Sequence, residues 1–449
     1  MGVLDNKDLL SDINRVQIPW VKVTIGDTFT FGVYRKKKRE KLSEAESKIY
    51  QSIHDVQYPD YIQNLRITKI NGQVNKYTLG ISYPITQFDD PNLIEKVLSS
   101  ASGGRKIKFS YGDINQPGFI YKEEEAIITK VNQAFSLESS RIDYTIEATS
   151  SASLMTTGRL NYINDGKAKK PSEEILDIFN KDLSLKKVFS GMSDDKLDLI
   201  KNLDDAPVLI QSRTDMSSLE LIKYLVGCMR PQKVLEGLPT ANYIFTIHDE
   251  TDPNAINTGP YFSINKVDKQ VPQGDAYTLT IGYNTRTIVT NFTIENNENY
   301  ALYYEYQNEI NPNHYVRRLN KNGEWEEVYC PTLTSQNALG ESTAVDENWW
   351  NLITQYPINA SVTVYGLLRP ATLMQYIRLN VVFPGGHKHI SSGLYLVTKQ
   401  EDTIDSNGYR TTLGLTKIAG DSDVLIIEEK DGIMKATGLS GYKNKLTDK

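Results

Sequence analysis

SGLYLVTKQEDTIDSNGYRTTLGLTKI, at residues 392–418, carries the clearest structural pattern in the chain. Apolar and polar residues alternate through most of it, as in strands that bury one face. Asp405–Gly408 interrupts the alternation with four residues typical of turns. The stretch therefore predicts a long β-hairpin.

The same alternation extends upstream of this hairpin to about residue 288. It recurs in TIVTNFTIENNENYALYYEYQ (287–307), NASVTVYGLL (359–368) and YIRLNVVF (376–383). These segments predict a β domain over residues 288–422. The pattern is lost from Ile427, and the Lys-rich end predicts a C-terminal tail over residues 423–449.

The first part of the chain shows a similar strand pattern. Two hairpin signals are Trp20–Tyr34, which turns at Gly26-Asp27, and Tyr61–Ile85, which turns at Asn71-Gly72. A helix is predicted at Pro91–Ser100, because Pro favours a helix start and two Gly residues follow its end. Three further strand patterns come before residue 150. Residues 1–152 are therefore predicted to form an N-terminal arm and a β-barrel.

The middle of the chain combines helix and strand signals. The predicted segments are a linker at Leu154–Lys170, helices at Ser172–Phe179 and Met216–Met229, and strands at Ala206–Ser212 and Tyr243–His248. Residues 153–287 are therefore predicted to form an α/β insertion. The predicted fold class is α+β, mainly β, with two β-barrel domains flanking this insertion.

The two β domains share an order of features. Each is predicted to have a short helix, a strand that ends in Tyr-Gly, and then two strands around a polar turn. The Tyr-Gly pairs are Tyr111-Gly112 and Tyr365-Gly366. Two such barrels in one chain would give six similar barrels around the axis of a trimer.

Two segments resemble the baseplate hub family of contractile phage tails, which also includes the N-terminal part of type VI secretion spike proteins. They are RKIKFSYGD (105–113) and the stretch at 392–418. In that family, Gly-x-Tyr-x-Val, a polar turn and Gly-Tyr-x-Thr-x-Leu-x-Leu mark the closing hairpin of the second barrel. This chain carries the two halves of that pattern from Gly393 and from Gly408. The resemblance covers roughly residues 15–422 as domain order.

The resemblance implies a structural subunit, not an enzyme, and no cofactor. It implies tail-tube-like barrels in a homotrimeric, pseudo-sixfold ring that initiates the tail tube and holds the central spike. The implied partners are the tail-tube protein, a spike made as a separate polypeptide, and other baseplate proteins. Genome DNA would pass through the channel without specific binding. The implied location is the baseplate of the virion tail, and the host cytoplasm during assembly. Contractile and non-contractile tails and related injection machines stay open.

Composition sets limits on function. The 449 residues predict two to four domains, and 27 Tyr favour half-buried strands and wet interfaces. A formal charge of -6 argues against a dedicated nucleic-acid binder. Cys228 and Cys330 lie far apart, so neither a disulfide framework nor a zinc knuckle is predicted. No segment is long and apolar enough to predict membrane insertion.

One basic run is a candidate interaction site. It consists of Arg35, Lys36, Lys37, Lys38 and Arg39. The run is either a solvated loop tip or a contact for an acidic partner. A tube lumen that gripped DNA would hinder ejection, so the expected partner is a neighbouring protein.

Metal and catalytic sites are weakly indicated. His387 and His389 have strand-like spacing, but no Cys or carboxylate lies close by in sequence, so no metal site is predicted. Three carboxylate groups, Asp89-Asp90, Glu123–Glu125 and Asp194-Asp195, raise the question of glycosidase chemistry. They are interpreted as solvated surface, since nothing places two of them across a cleft.

A second functional class stays open. A carbohydrate-binding or cell-wall-degrading tail protein would need an aromatic-lined groove with opposed carboxylates. Trp349 and Trp350 are the aromatic candidates, although their short amphipathic segment also fits a core position. No motif for acyl transfer, phosphoryl transfer or zinc hydrolysis is present in the sequence.

Overall fold

A computed structural model describes residues 19–26, 29–34, 58–59, 61–84, 104–113, 123–136, 138–229, 242–251, 259–267, 277–282, 289–296, 304–307, 314–319, 325–329, 358–365, 373–382, 388–389, 391–420, 425–430 and 433–439. The fold is mainly β, as predicted. Strands from both ends of the chain belong to one 15-stranded, mostly antiparallel sheet. Three large hydrophobic clusters form the cores.

The first eight strands form what we call the first β unit. They are β1 (Pro19–Ile25), β2 (Phe29–Tyr34), β3 (Tyr58–Pro59), β4 (Ile62–Ile70), β5 (Lys76–Pro84), β6 (Lys106–Asp113), β7 (Glu123–Ser136) and β8 (Arg141–Ser150). Their order in the sheet is β4-β5-β8-β7-β6-β1-β2-β3. Alternate apolar residues such as Leu65, Leu79 and Ile146 point into the first core.

Both predicted N-terminal hairpins are confirmed. β1 pairs with β2 across a turn that contains Gly26, and β4 pairs with β5 across a turn that contains Gly72. These glycines have φ values of +59° and +67°, which a residue with a Cβ adopts only at a cost.

The middle region combines helices with short strands. It contains a 3₁₀-helix (Ser151–Thr156), β9 (Leu160–Tyr162), α1 (Pro171–Lys181), α2 (Leu183–Val188), α3 (Asp194–Lys201), β10 (Arg213–Met216), α4 (Ser218–Gly227), β11 (Asn242–His248), β12 (Glu250–Thr251) and β13 (Tyr261–Val267). Two two-stranded sheets, β9 with β10 and β11 with β13, lie beside the helices. We call this part the insertion.

Most of the predicted elements of the insertion are present. Helix α1 and strand β11 cover their predicted segments, and α4 lies within the predicted helix Met216–Met229. The predicted strand Ala206–Ser212 is wrong, because this segment makes only an isolated bridge between Val208 and Lys169. The predicted linker Leu154–Lys170 contains the end of the 3₁₀-helix and all of β9.

The remaining strands belong mostly to what we call the second β unit. They are β14 (Tyr277–Gly282), β15 (Val289–Asn296), β16 (Tyr304–Gln307), β17 (His314–Leu319), β18 (Trp325–Tyr329), β19 (Ile358–Tyr365), β20 (Tyr376–Val382), β21 (Gly393–Asp405), β22 (Gly408–Gly420), β23 (Leu425–Lys430) and β24 (Ile433–Leu439). The unit itself comprises β14, β15 and β19–β22, in the order β15-β19-β22-β21-β20-β14. Strands β16–β18 form a separate sheet.

The predicted closing hairpin is confirmed as β21 and β22. Their ladder begins at the turn, where Asp405 lies opposite Gly408. The predicted loss of strand pattern after Ile427 is wrong, because β23 and β24 pair as an antiparallel hairpin. Their alternation is short and interrupted by a register shift at Ile426/Ile427, which weakens the signal in sequence.

The two predicted barrels stay a prediction, as do the domain boundaries. Among the described residues the sheet order is an open path that runs from one β unit into the other, without closure of either. Several predicted features lie outside the described residues. They are the helix Pro91–Ser100, Arg35 to Arg39, Asp89-Asp90, Trp349, Trp350 and His387.

Candidate functional site: the joint between the two β units

The two β units meet edge to edge, at a contact that we call the inter-unit joint. β21 pairs with β4 in antiparallel register, from Lys399 opposite Ile70 to Ile404 opposite Leu65. Arg66 and Glu401 form an ion pair of 2.9 Å across this joint. Ile404 belongs to the core of the first unit although it lies on a strand of the second, so the joint continues both sheet and core.

The turn between β4 and β5 binds both other parts of the chain. The backbone N–H of Asn71 donates to the carbonyl of Thr398 at 3.1 Å, and that of Gly72 donates to the carbonyl of Phe245 at 2.8 Å. The first bond reaches β21 and the second reaches β11 of the insertion. This hairpin therefore fixes the meeting point of all three parts.

The two β units are topologically equivalent. Five strands of the first unit, in sheet order β4-β5-β8-β7-β6, correspond to β15-β19-β22-β21-β20 of the second, and their order along the sequence also agrees. This confirms a repeat but changes its alignment. The strand that ends at Tyr365 is β19 and matches β5, whereas the sequence analysis matched it with the strand that ends at Tyr111-Gly112, which is β6.

β-Bulges support the equivalence residue by residue. The ladder between β7 and β8 shifts at Thr129, and that between β21 and β22 shifts at Thr398. Each Thr hydroxyl donates to the carbonyl just across the ladder, at 3.1 Å to Glu147 and at 3.2 Å to Gly414. Lys130 follows the first bulge as Lys399 follows the second, so Thr129-Lys130 and Thr398-Lys399 occupy equivalent places.

The edge strands match in the same way. The pairing of β4 with β5 shifts between Ile62 and Asn64, and that of β15 with β19 shifts between Val289 and Asn291. Counting from these bulges places Leu65 in equivalence with Phe292. Since bulges re-aim strands and increase their twist, their repetition indicates that both units curve at the same points.

Beneath the joint lies a group of buried side chains that we call the buried polar cluster. Its ionisable members come from all three parts of the chain: Lys69, Glu124, Asp249 and Asp402, with Tyr77, Tyr111 and Tyr409. Asn75, Ser150, Gln400 and Thr411 complete it. With three carboxylates against one lysine, the cluster is the strongest concentration of buried charge among the described residues.

Glu124 lies at the centre of the cluster. The ammonium group of Lys69 contacts its Oε1 at 2.5 Å, and the hydroxyl of Tyr111 donates to the same oxygen at 2.9 Å. The hydroxyl of Tyr77 lies 2.8 Å from its Oε2. Both carboxylate oxygens are therefore satisfied although the residue is 0% exposed. Burial raises the pKa of both phenols well above the ordinary value. The next largest cause is the charge of Asp249 for Tyr77 and the charge of Glu124 for Tyr111.

Asp249 brings the end of β11 into the cluster. It accepts hydrogen bonds from Ser150 and, at 2.8 Å, from the amide of Asn75. Its Oδ2 lies 3.0 Å from the Tyr77 hydroxyl, which carries one proton for two carboxylates. Burial raises the pKa of Asp249 to about 6, against the opposite effect of these hydrogen bonds.

Asp402 contributes the carboxylate of the second unit. It accepts hydrogen bonds from Thr411 at 2.6 Å, from Gln400 at 2.6 Å and from the hydroxyl of Tyr409 at 3.1 Å. Burial raises the pKa of Asp402 to about 6 although these donors favour its charged form. Each part of the chain thus presents one buried carboxylate to the junction.

This cluster holds the three parts of the chain together and is not placed to act on a substrate. Its carboxylates are at most 1% exposed, so no substrate reaches them in this structure. Removing one partner from such a network leaves a buried charge without compensation, which typically costs about 3–5 kcal/mol. The cluster therefore makes the arrangement of the three parts specific.

The structure corrects one interpretation of the sequence. Glu123–Glu125 were interpreted as solvated surface, but only the outer two point outward, where they pair with Lys108 at 3.2 Å and Lys106 at 2.6 Å. Glu124 points inward, on the same face as Ala126 and Ile128. Strict alternation from that apolar pair would have placed it in the core. Lys69, Asp249 and Asp402 also continue the alternation of buried residues on or beside their own strands, as Glu124 does on β7.

The other candidate residues are not brought together. Asp194 and Asp195 lie exposed in the first turn of α3. His389 is half-buried, and its Nδ1 lies 2.6 Å from the hydroxyl of Ser391; burial, followed by the charge of Lys417, lowers its pKa. Among the described residues no group of three His, Cys, Asp or Glu side chains is placed to hold a metal ion. None of the helices within these ranges is long and apolar enough to cross a bilayer.

Comparison with known proteins gives likenesses in structure alone. No family model matches the chain, and no curated protein matches it. The tail protein of Neisseria meningitidis MC58 is 11% identical, with 89% of this chain and 96% of that chain covered and a TM-score of 0.46. The 43 kDa tail protein of prophage MuSo2 from Shewanella oneidensis is 10% identical, with 90% of this chain and 100% of that chain covered and a TM-score of 0.45. An E. coli component of the type VI secretion system, described as similar to T4 bacteriophage tail proteins, is 10% identical. The match covers 86% of this chain and 78% of that chain, with a TM-score of 0.43.

Proposed function

We propose that this chain is a structural subunit of a bacteriophage tail, and specifically the baseplate hub that forms a trimeric ring of six β units. Within that ring it would initiate the tail tube and hold the central spike. The hub motifs at residues 392–418 and 105–113 support the family, because both lie on strands that build the repeated sheet.

The inter-unit joint is the observation that carries the proposal. One chain already contains two equivalent units joined through sheet edges, so it is a pair of repeating blocks rather than two unrelated domains. Three chains that repeat this arrangement give six blocks, which converts threefold symmetry into pseudo-sixfold symmetry. A ring of this kind is a suitable first layer for a tube built from single-block subunits.

The face of the joined sheet that points away from the cores fits a channel wall. Small hydroxyl side chains such as Thr145 on β8 and Thr412 on β22 lie on this face. Its charges are mixed and largely paired, as in Arg66 with Glu401 and Lys130 with Glu147. A wall without a dense positive patch would let a polyanion pass without holding it.

The proposal is tested by the mass of the purified full-length chain in solution and by electron microscopy of the same sample. A mass of three chains and a ring of six similar lobes around a channel are the expected results. A chain that stays monomeric at its highest soluble concentration, or a ring without alternating equivalent lobes, would overturn the proposed assembly.

A further inference from the structure

Two strand edges of this chain are candidates for a contact with a second copy. Beyond its bulge, β7 pairs with β8 on one side, and within the described residues no strand covers its other side. β15 likewise pairs with β19 alone among those residues. Open edges of this length form intermolecular sheets unless something covers them.

The internal repeat identifies what these two edges are. β7 is the counterpart of β21, and β15 is the counterpart of β4, so the open edges are equivalent to the two strands of the inter-unit joint. In the joint, the part of β21 after the bulge at Thr398 pairs with β4. The equivalent part of β7 after Thr129 has no strand on that side within the described part of the chain.

We propose that the edge of β7 at Val131–Phe135 pairs in antiparallel register with the edge of β15 at Phe292–Asn296 in a second copy of this chain. This repeats the inter-unit joint between chains. It rests on the proposed function only for the number of copies at which the assembly closes.

The register follows from residue equivalence. Ile404 lies opposite Leu65 in the inter-unit joint, and their counterparts are Phe135 and Phe292. The contact between chains therefore places Phe135 opposite Phe292, and Gln133 opposite Ile294.

Exposure supports this register. Phe135 is 63% exposed, whereas its counterpart Ile404 is 4% exposed because the inter-unit joint covers it. Phe292 already packs against the core of the second unit, as its counterpart Leu65 packs in the first core. Pairing the two rings would extend that core between chains, and aromatic cross-strand pairs stabilise sheets beyond their area burial.

Charge supports an interface that forms after folding. The inter-unit joint has Lys69 opposite Gln400, and Asp402 follows two residues later, in the buried polar cluster. The counterparts of these three residues are Asn296, Val131 and Gln133, which carry no charge. The ionic residue of this stretch, Glu295, is exposed and alternates with Phe292 and Ile294, so it lies on the face of β15 away from the core. Pairing therefore desolvates no ionic group on the core side, and the edge can stay wet in a single chain and pair later at low cost.

Cysteine cross-linking between two differently tagged chains tests the contact. Phe135→Cys in one chain and Phe292→Cys in the other, coexpressed and then oxidised, should give a covalent dimer, because directly opposite residues lie within disulfide range. Neither variant expressed alone should do so, which also controls for native Cys228 and Cys330. The matched control is Ala134→Cys with Phe292→Cys, since Ala134 points to the opposite face of the strand.

The double variant Phe135→Cys/Phe292→Cys tests closure. A series of covalent dimers and trimers that stops at three is expected if the contact closes a trimeric ring. A cross-link that leaves the chain monomeric would place the contact within one chain and overturn the proposal. Absence of the cross-link in particles that show the ring would overturn this contact while leaving the proposed function standing.

Phe135→Asp provides a second readout that does not depend on thiol chemistry. A carboxylate opposite Phe292 should reduce the assembly to single chains while the circular dichroism spectrum is unchanged. Leu199→Asp, at an apolar residue of α3 that is also exposed, is the control and should assemble as the unmodified chain does. Full assembly of the Phe135→Asp variant would overturn the proposal.

Discussion

The buried polar cluster has an excess of negative charge at a place from which water is excluded. Lys69 compensates Glu124 directly, at 2.5 Å. Asp249 and Asp402 accept hydrogen bonds from neutral donors, and the charge of Lys69 lowers their pKa by less than burial raises it. Neutral donors stabilise a carboxylate less than a cation does, so burial prevails and both aspartates retain protons more readily than exposed ones.

The raised pKa values make the stability of the fold depend on pH, in a direction that can be measured. The pKa of each aspartate is raised to about 6 in the folded chain, above the value of about 3.9 in an unfolded one. The folded chain therefore binds more protons between these values. The stability that these groups contribute is complete below about pH 4 and is lost as pH rises through about 6, by up to about 3 kcal/mol for each group.

We therefore expect Asp402→Asn to remove part of this pH dependence. Between about pH 4 and 7 the free energy of unfolding should fall less steeply for the variant than for the unmodified chain, because one proton is no longer released. Urea unfolding at a series of pH values measures how the free energy of unfolding changes with pH. Asp198→Asn, at an exposed residue of α3, should leave the slope unchanged. Equal slopes for Asp402→Asn and the unmodified chain would contradict the assignment.

Glu124 shows what the sequence can reveal at this scale. Its inward direction follows from the alternation with Ala126 and Ile128, so a strict reading of β7 predicts a buried acid. The partner Lys69 lies 55 residues away, and Asp249 and Asp402 lie on other parts of the chain. Contacts of that kind depend on how the parts meet, which no local pattern encodes.

At the scale of elements, local signals were sufficient where the chain has turns and caps with specific chemistry. Asn71-Gly72 predicted the β4–β5 hairpin, because Gly72 supplies the positive φ that its turn requires. Ala206–Ser212 has apolar residues in strand-like order, but within the described ranges its only strand-like pairing is the bridge at Val208. Strand formation there was decided by tertiary pairing and not by propensity.

The repeat illustrates the same difference. The sequence analysis correctly matched β7 and β8 with β21 and β22 as repeat counterparts, because these hairpins share strand length and a polar turn. It misaligned β19, since a Tyr-Gly ending is a weak marker, and it had no means of locating the bulges. Sheet order and the hydrogen bonds of Thr129 and Thr398 supply that alignment.

Helix α4 offers a direct test of one local signal. Ser217 accepts a hydrogen bond from the N–H of Glu220 at 3.2 Å, and the Glu220 carboxylate accepts from the N–H of Ser217 at 2.9 Å, which is a complete capping box. Ser217→Ala removes half of it and should lower the free energy of unfolding by about 1 kcal/mol.

The matched control for this cap is Ser193→Ala. Ser193 is the N-cap residue of α3, but its side chain makes no capping hydrogen bond. Its replacement should therefore change stability by less than about 0.5 kcal/mol. Equal losses for both variants in urea unfolding would show that the capping box contributes nothing beyond the serine itself.

At the scale of the whole molecule, the joint ties three parts into one body. Ile404 and Tyr409 of the second unit belong to the core of the first, and Asp249 of the insertion belongs to the same cluster as Glu124. A chain built in this way presents its two units in a fixed relation. That rigidity is what a subunit needs if its own internal contact is to be repeated between copies.

Stability should therefore depend on protein concentration. If folded chains assemble through β7 and β15, association stabilises the native state by mass action, and the thermal midpoint rises as concentration increases. Phe135→Asp should abolish this rise, because a charge opposite Phe292 prevents the edges from pairing. Leu199→Asp should retain it. Scanning calorimetry over a wide range of protein concentrations measures all three, and an undiminished rise in the Phe135→Asp variant would place the association at another surface.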